Sequence, residues 1–195
     1  MSRIMIALLS ASGLALAATA AQAAPSKQST DTYNAARTSA EAQYKLDKDA
    51  CSSLKANAKD ICIAEAKGKE NIAKADAKAT YENTPKTREA ARVAHAQATY
   101  DVAKEKCDDL SGNTKDVCVK EAKAALVHGK ADAKVDRVSA DTRADGAAKR
   151  ADARDDAAKD KRNADYKVAV EKCDVLAGSA KDACVGNAKV QYGKS

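Results

Sequence analysis

The chain has 195 residues, among them 47 Ala, 34 Lys or Arg and 28 Asp or Glu, with six Tyr and neither Phe nor Trp. Past residue 23 only twenty Val, Ile and Leu and no Met remain, too few to fill a globular core of ordinary size. The formal net charge of +6 is spread as interleaved signs, with no basic block and no aromatic interleaving, which argues against a nucleic-acid surface.

Residues 1–23 read as an export signal. Arg3 gives the positive start, Ile4 to Ala18 the apolar stretch, and Ala21-Gln22-Ala23 a small-residue cleavage site. The apolar stretch is too short to span a membrane, and no Cys stands at the cleavage point to take lipid. The expected product is a periplasmic protein beginning at about Ala24, with no transmembrane helix and no lipid anchor.

Residues 24–30 are read as a flexible tail, followed by a helix from about Thr30 to Leu54. Ala, Lys, Arg and Glu are good helix formers, Ala the best of all, so long, thin helices are the expected outcome for 31–195. A second helical segment, about Ala58 to Leu110, is expected to break at Asn83-Thr84-Pro85, where Thr84 can cap and Pro fits the first helical position. A third is read from about Lys115 to Leu176. Its middle, 139–165, has no Val, Ile, Leu or aromatic residue and is expected to be a solvated single helix or a frayed insertion. A short last helix, about Ala180 to Tyr192, folds back from it.

One unit recurs three times, over about 44–67, 100–123 and 166–189. In each a Tyr (Tyr44, Tyr100, Tyr166) stands seven residues before a Cys, a Leu (Leu54, Leu110, Leu176) three after it, and a second Cys eleven after it. The second and third copies are fifty-six and sixty-six residues beyond their predecessors, so an insertion of ten precedes the third. Each copy reads as a helix end, a tight corner and a helix start. Gly112 and Gly178 fit the left-handed end of the preceding helix, while Ala56 in the first copy makes that corner the weakest. Asn57, Asn113 and Ser179 fit N-caps, with Asp60, Asp116 and Asp182 three residues on, as in a capping box.

The corners bear on the cysteines. In an unbroken helix, residues eleven apart lie ~16 Å apart along the axis, beyond the ~7 Å that a disulfide tolerates, and the thiols would then be free or pair between chains. With corners, Cys51–Cys62, Cys107–Cys118 and Cys173–Cys184 are the expected local bridges, as six Cys in an exported chain also suggest. The Tyr and Leu of each unit are then expected to supply the few large contacts inside each hairpin. The fold class expected is all-α: long antiparallel, coiled-coil-like helical hairpins stapled by local disulfides, with little globular core.

No chemistry stands out. His95 and His128 are isolated and read as surface or groove residues, ten residues between paired Cys is no zinc spacing, and no Gly-rich phosphate loop occurs. No catalytic residue, metal, cofactor or small-molecule substrate is expected.

The export signal with Ala-, Lys- and Asp-rich helices and the Tyr-x6-Cys-x2-Leu units at Tyr44, Tyr100 and Tyr166 resembles exported Ala-rich bacterial proteins labelled cell envelope biogenesis protein TolA-like. Residues 147–159 are also similar to the Ala-, Lys- and Asp-rich eleven-residue repeats of late-embryogenesis-abundant proteins, which lack Cys staples. The first reading is a non-enzymatic, exported structural or interaction element of the envelope. The alternatives are a stress protectant or a periplasmic helical-hairpin chaperone. Expected contacts are protein or self-association through Ala-rich helix faces, with weak membrane-surface contact as a lesser one.

Overall fold

A computed structural model describes residues 29–141 and 146–194. The leader over 1–23 and most of the 24–30 tail lie outside the described residues. The fold is all-α, with six helices and no strand among the described residues: α1 (Thr30–Ala50), α2 (Ala56–Glu82), α3 (Pro85–Cys107), α4 (Gly112–Asp141), α5 (Ala147–Cys173) and α6 (Gly178–Tyr192). A single 3-10 turn, Cys51–Ser53, follows α1.

The helices stand side by side in one row. Close backbone approach joins α1 to α2, α2 to α3, and so on to α5 with α6, and no helix approaches one further along the chain. Small residues make this possible. Among the described residues the buried set is almost entirely Ala and Cys, with Leu126 its one large aliphatic side chain. A methyl group at Gly68 would come within 2.9 Å of Ala98 Cβ, and one at Gly129 within 2.7 Å of Ala96 Cβ. These glycines let neighbouring backbones close up where a larger residue would hold them apart. Dispersion between closely spaced backbones and Ala methyls therefore does what large side chains do in an ordinary core.

Helix ends follow local chemistry. Ser29 Oγ accepts from the Thr32 backbone N–H, so α1 is capped at Ser29 and includes Thr30, one residue into the stretch read as tail. At the far end of α2, Asn83 takes the left-handed conformation at φ 47°. Thr84 then caps α3 through a reciprocal box with Thr87, with Pro85 at the first helical position.

The third segment differs from the expectation. Lys115 to Leu176 is not one helix, and the described part of 139–165 belongs to two packed helices, not to a solvated single one. The stretch contains the end of α4, residues 142–145, which lie outside the described set, and much of α5. Helix α5 packs along α4 with Ala153, Ala157 and Ala164 buried. Ala alone suffices there because the partner helix is equally small-faced. The ten extra residues of the third repeat are shared out: α4 has 30 residues against 27 in α2, α5 has 27 against 23 in α3, and the connection takes up the other three.

Candidate functional site: the stapled corners

The repeated Cys units come together at one end of the row. Cys51–Cys62, Cys107–Cys118 and Cys173–Cys184 are bonded, with Cα–Cα separations of 5.7, 5.7 and 5.8 Å, inside the unstrained range. No cysteine is free, so no thiol is available as nucleophile or ligand. The first Cys of each pair is fully or almost fully buried and occupies the place that a large apolar residue takes in an ordinary helical hairpin.

The backbone of the corner is the same in all three copies but differs from the capping scheme read from sequence. Helices α3 and α5 end at Cys107 and Cys173, and the Leu110 and Leu176 N–H groups turn back to the Cys carbonyls at 3.0 Å. Gly112 and Gly178, both at φ 55°, are therefore not the ends of those helices; each opens the next one, with Ala56 at φ 47° in the same role. The left-handed residue completes the reversal after the tight turn, three residues later than a helix-terminating Gly would stand.

The proposed caps also change role. Asn57, Asn113 and Ser179 are each the second residue of a helix, and α2 and α6 have no side-chain cap. Asn57 Nδ2 instead donates to the Glu105 carbonyl at 2.8 Å, and Asn113 Nδ2 to the Glu171 carbonyl at 2.9 Å. Each amide therefore ties the start of one helix to the end of the next, as a second donor to a carbonyl that already accepts the Asp108 or Asp174 backbone N–H. These two bonds also place all three staples at the same end. Asp60, Asp116 and Asp182 are exposed and form no capping box. In the second and third corners a Lys–Asp pair closes the turn: Lys115–Asp108 at 2.9 Å and Lys181–Asp174 at 3.1 Å. The Lys115 ammonium holds the Asp108 carboxyl below the usual carboxylate range, and Asp108 in turn raises Lys115. The first corner has Ser52 where the others have Asp.

Leu54, Leu110 and Leu176 do not pack inside the hairpins. All three are 40% exposed, because the buried Cys already fills the corner and pushes the turn residues outward. Tyr44, Tyr100 and Tyr166 are half-buried, each with a Lys ammonium over its ring: Lys67 at 4.9 Å, Lys123 at 5.3 Å and Lys194 at 5.9 Å. The first two Lys are the repeat's own, on the helix stapled to the Tyr. This pairing was available in the recurring Tyr-x22-Lys spacing but was not used.

The grooves between the unstapled neighbours correspond position by position. Between α2 and α3 the lining includes Glu65, Gly68, Ile72, Thr99, Val102 and Lys106; between α4 and α5 it includes Glu121, Ala124, His128, Asp165, Val168 and Lys172. His128 Nε2 lies 2.9 Å from Asp165 Oδ1 but off the direction of a hydrogen bond, so it is a groove residue with a charge neighbour. His95 is exposed and bonds Asp76 at 3.1 Å; Lys161 with Asp132 forms the corresponding pair one repeat on. Among the described residues no group of three or more His, Cys, Asp or Glu is placed to hold a metal.

No family model matches the chain, and no curated protein or solved structure matches it either. Among the described residues no helix is long and apolar enough to cross a membrane.

Proposed function

We propose that this protein is a non-enzymatic, exported, periplasmic element of the cell envelope that works by presenting stapled helices to other helices. The observation that carries the reading is the single row of helices. A fold one helix thick encloses no interior in which to hold a substrate, while it exposes long Ala-lined faces whose spacing three disulfides fix. Disulfides persist in an oxidising compartment, which agrees with the leader-like residues 1–23 and with the resemblance to TolA-like exported proteins.

Cell fractionation with thiol trapping, followed by loss of the gene, tests this. The expected result is a periplasmic protein with all six Cys oxidised, whose loss sensitises cells to detergent and other envelope stress. Reduced protein in the cytoplasm sinks the reading. A defect confined to drying, with helix gain on dehydration, favours a protectant in its place, and suppression of client aggregation favours a chaperone.

A further inference from the structure

We propose that the two edge helices, α1 and α6, are complementary halves of one interface, through which this chain associates head to tail with further copies of itself. The inference rests on the interaction role proposed above and names its partner.

The interior already contains this interface twice, as α2 against α3 and as α4 against α5. The repeat offsets of fifty-six and sixty-six make α1 the counterpart of α3 and α5, and α6 the counterpart of α2 and α4. In the row, α3 and α5 bury Ala91 with Ala98, and Ala157 with Ala164, and line the grooves with Val102 and Val168. The same register on α1 carries Ala35, Ala42 and Leu46. All three are exposed, Leu46 at 64%. Helix α6 behaves in the same way. Val190 stands where Gly68 and Ala124 stand, but it is 84% exposed. Two exposed aliphatic side chains thus occupy positions that face one another across the interior grooves, and Val190, in the place of Gly68, sets this pair of helices further apart than α2 and α3.

Among the described residues α1 approaches α2 and its own 3-10 turn alone, and α6 approaches α5 alone. Both edge helices run to or from the stapled end. The 15 residues of α6 span ~22 Å and the 21 of α1 span ~31 Å, so one lies along the other without overhang. Ser179, exposed on the first turn of α6, holds the place of Asn57 and Asn113, and the register puts the carbonyl of Asp49 where theirs meet Glu105 and Glu171. The Lys106–Glu65 and Lys172–Glu121 pairs of the interior become Ala50 with Asn187 at the edges. Asp47 and Lys194 in turn take the places of Ala103 and Ile72 of the α2–α3 groove, so opposite charges remain at the contact and salt should weaken it in part. Because the two surfaces differ, the interface is heterologous: every added copy leaves one α1 edge and one α6 edge open, which yields a ring or a filament.

Two short helices bury less than the ~1,000 Å² that separates durable interfaces from transient ones, so sedimentation velocity should be run on the oxidised protein up to about 1 mM. The expected result is a sedimentation coefficient that climbs with concentration, most steeply at low salt. Leu46→Glu and Val190→Glu, both at exposed sites, should each leave the circular dichroism melt unchanged and hold the protein monomeric. Mixed together they should form a one-to-one dimer and nothing larger, since each keeps one intact edge. Ala42→Glu is the second α1 variant should Leu46→Glu fail to fold. A wild-type monomer across the range overturns the inference, as does growth that survives either edge variant. Periplasmic location with an envelope phenotype in a protein that stays monomeric would leave the interaction role standing and remove this partner.

Discussion

The first and second stapled hairpins, α1–α2 and α3–α4, are one backbone written with different residues. Both turn on a left-handed residue, but it is Ala56 in the first and Gly112 in the second. At the point fifty-six residues apart on α2 and α4, the first hairpin places Glu70 and the second Leu126, 6% and 3% exposed. Glu70 is held by Lys67 at 2.8 Å and Lys74 at 2.7 Å, with Lys74 reaching on to Glu41 of α1 at 2.9 Å. A carboxylate network and a Leu side chain thus do the same spacing job. The third hairpin places Tyr192 there, edge-on to Tyr166 at 6.4 Å. What the fold demands at this position is a filled site, whatever chemistry fills it, provided that charges brought there come with partners.

The staples dominate the comparison, so removing them should have the largest effect. In the chain-entropy model a loop of about a dozen residues closed by a disulfide contributes roughly 3 kcal/mol. Equal loops make the entropic loss equal in Cys51→Ser/Cys62→Ser and Cys107→Ser/Cys118→Ser, and urea unfolding should show similar midpoints. Amide exchange should separate them. Helix α1 has α2 as its one helical neighbour, so losing the first staple should strip protection from all of α1, whereas α3 and α4 remain held between α2 and α5. Equal local protection in the two variants would show that the row itself, not the staple, holds the edge helix.

Next is Leu126→Ala. Large-to-small changes at a buried Leu cost about 2–5 kcal/mol, and a fold one helix thick can relax into the space, so about 2 kcal/mol is expected in thermal or urea unfolding. A loss well under 1 kcal/mol would mean that this site is not the packing point that its burial indicates.

The corner residues come third. A non-Gly residue in the left-handed region costs about 1–2 kcal/mol, offset in part by the greater freedom that Gly has when unfolded. Ala56→Gly should therefore stabilise by roughly 0.5–1 kcal/mol, and Gly112→Ala should cost a similar amount. Apart from its own chain neighbours and helix backbone, no atom lies within 4 Å of a methyl placed on Gly112, so the local backbone sets that value. If the two changes fail to mirror each other, the corners are not equivalent in the way that their φ angles indicate.

These positions also show what could be read from sequence and what could not. The staples were legible, because an equal Cys spacing repeated three times singles out one pairing and cap-like residues lie between the two Cys of each. The Thr84–Pro85 break was legible for the same local reason. The reversal after Asp141 was not: Asp145-Gly146 is a turn signal, but it sits in a run of Ala, Lys and Asp with no apolar periodicity to say that a helix had ended and another begun. The role of Asn57 and Asn113 was hidden for a different reason. A cap position and an inter-helix donor differ by two residues in the start of the helix, and the acceptors, Glu105 and Glu171, are 48 and 58 residues away. The regular Leu54, Leu110 and Leu176 misled because spacing alone does not tell a packed residue from one at the outer tip of a turn.

The smallest effect at neutral pH, and the sharpest test of the opening comparison, is Glu70→Leu. It writes the second hairpin's residue into the first. Hydrogen bonds and charge from Lys67 and Lys74 hold the Glu70 carboxyl below its ordinary value. A group depressed in the folded state contributes stability that is complete above its unfolded value, about 4.3 for Glu, and lost as pH falls through the lower folded one. The wild type should therefore weaken on the acid side of that range, and Glu70→Leu should lose this part of the slope. At pH 7 little should change, because replacing a whole buried ionic group by an apolar one of similar size is often neutral or favourable. Neither lysine is stranded: Lys74 keeps Glu41, and Lys67 keeps the Tyr44 ring at 4.9 Å. Removing the acid without filling the site, as in Glu70→Ala, separates the two contributions, since it deletes the charge and leaves the space. If Glu70→Leu is as destabilising as Glu70→Ala at pH 7, then the site needs the network as such, and Leu126 is not its equivalent.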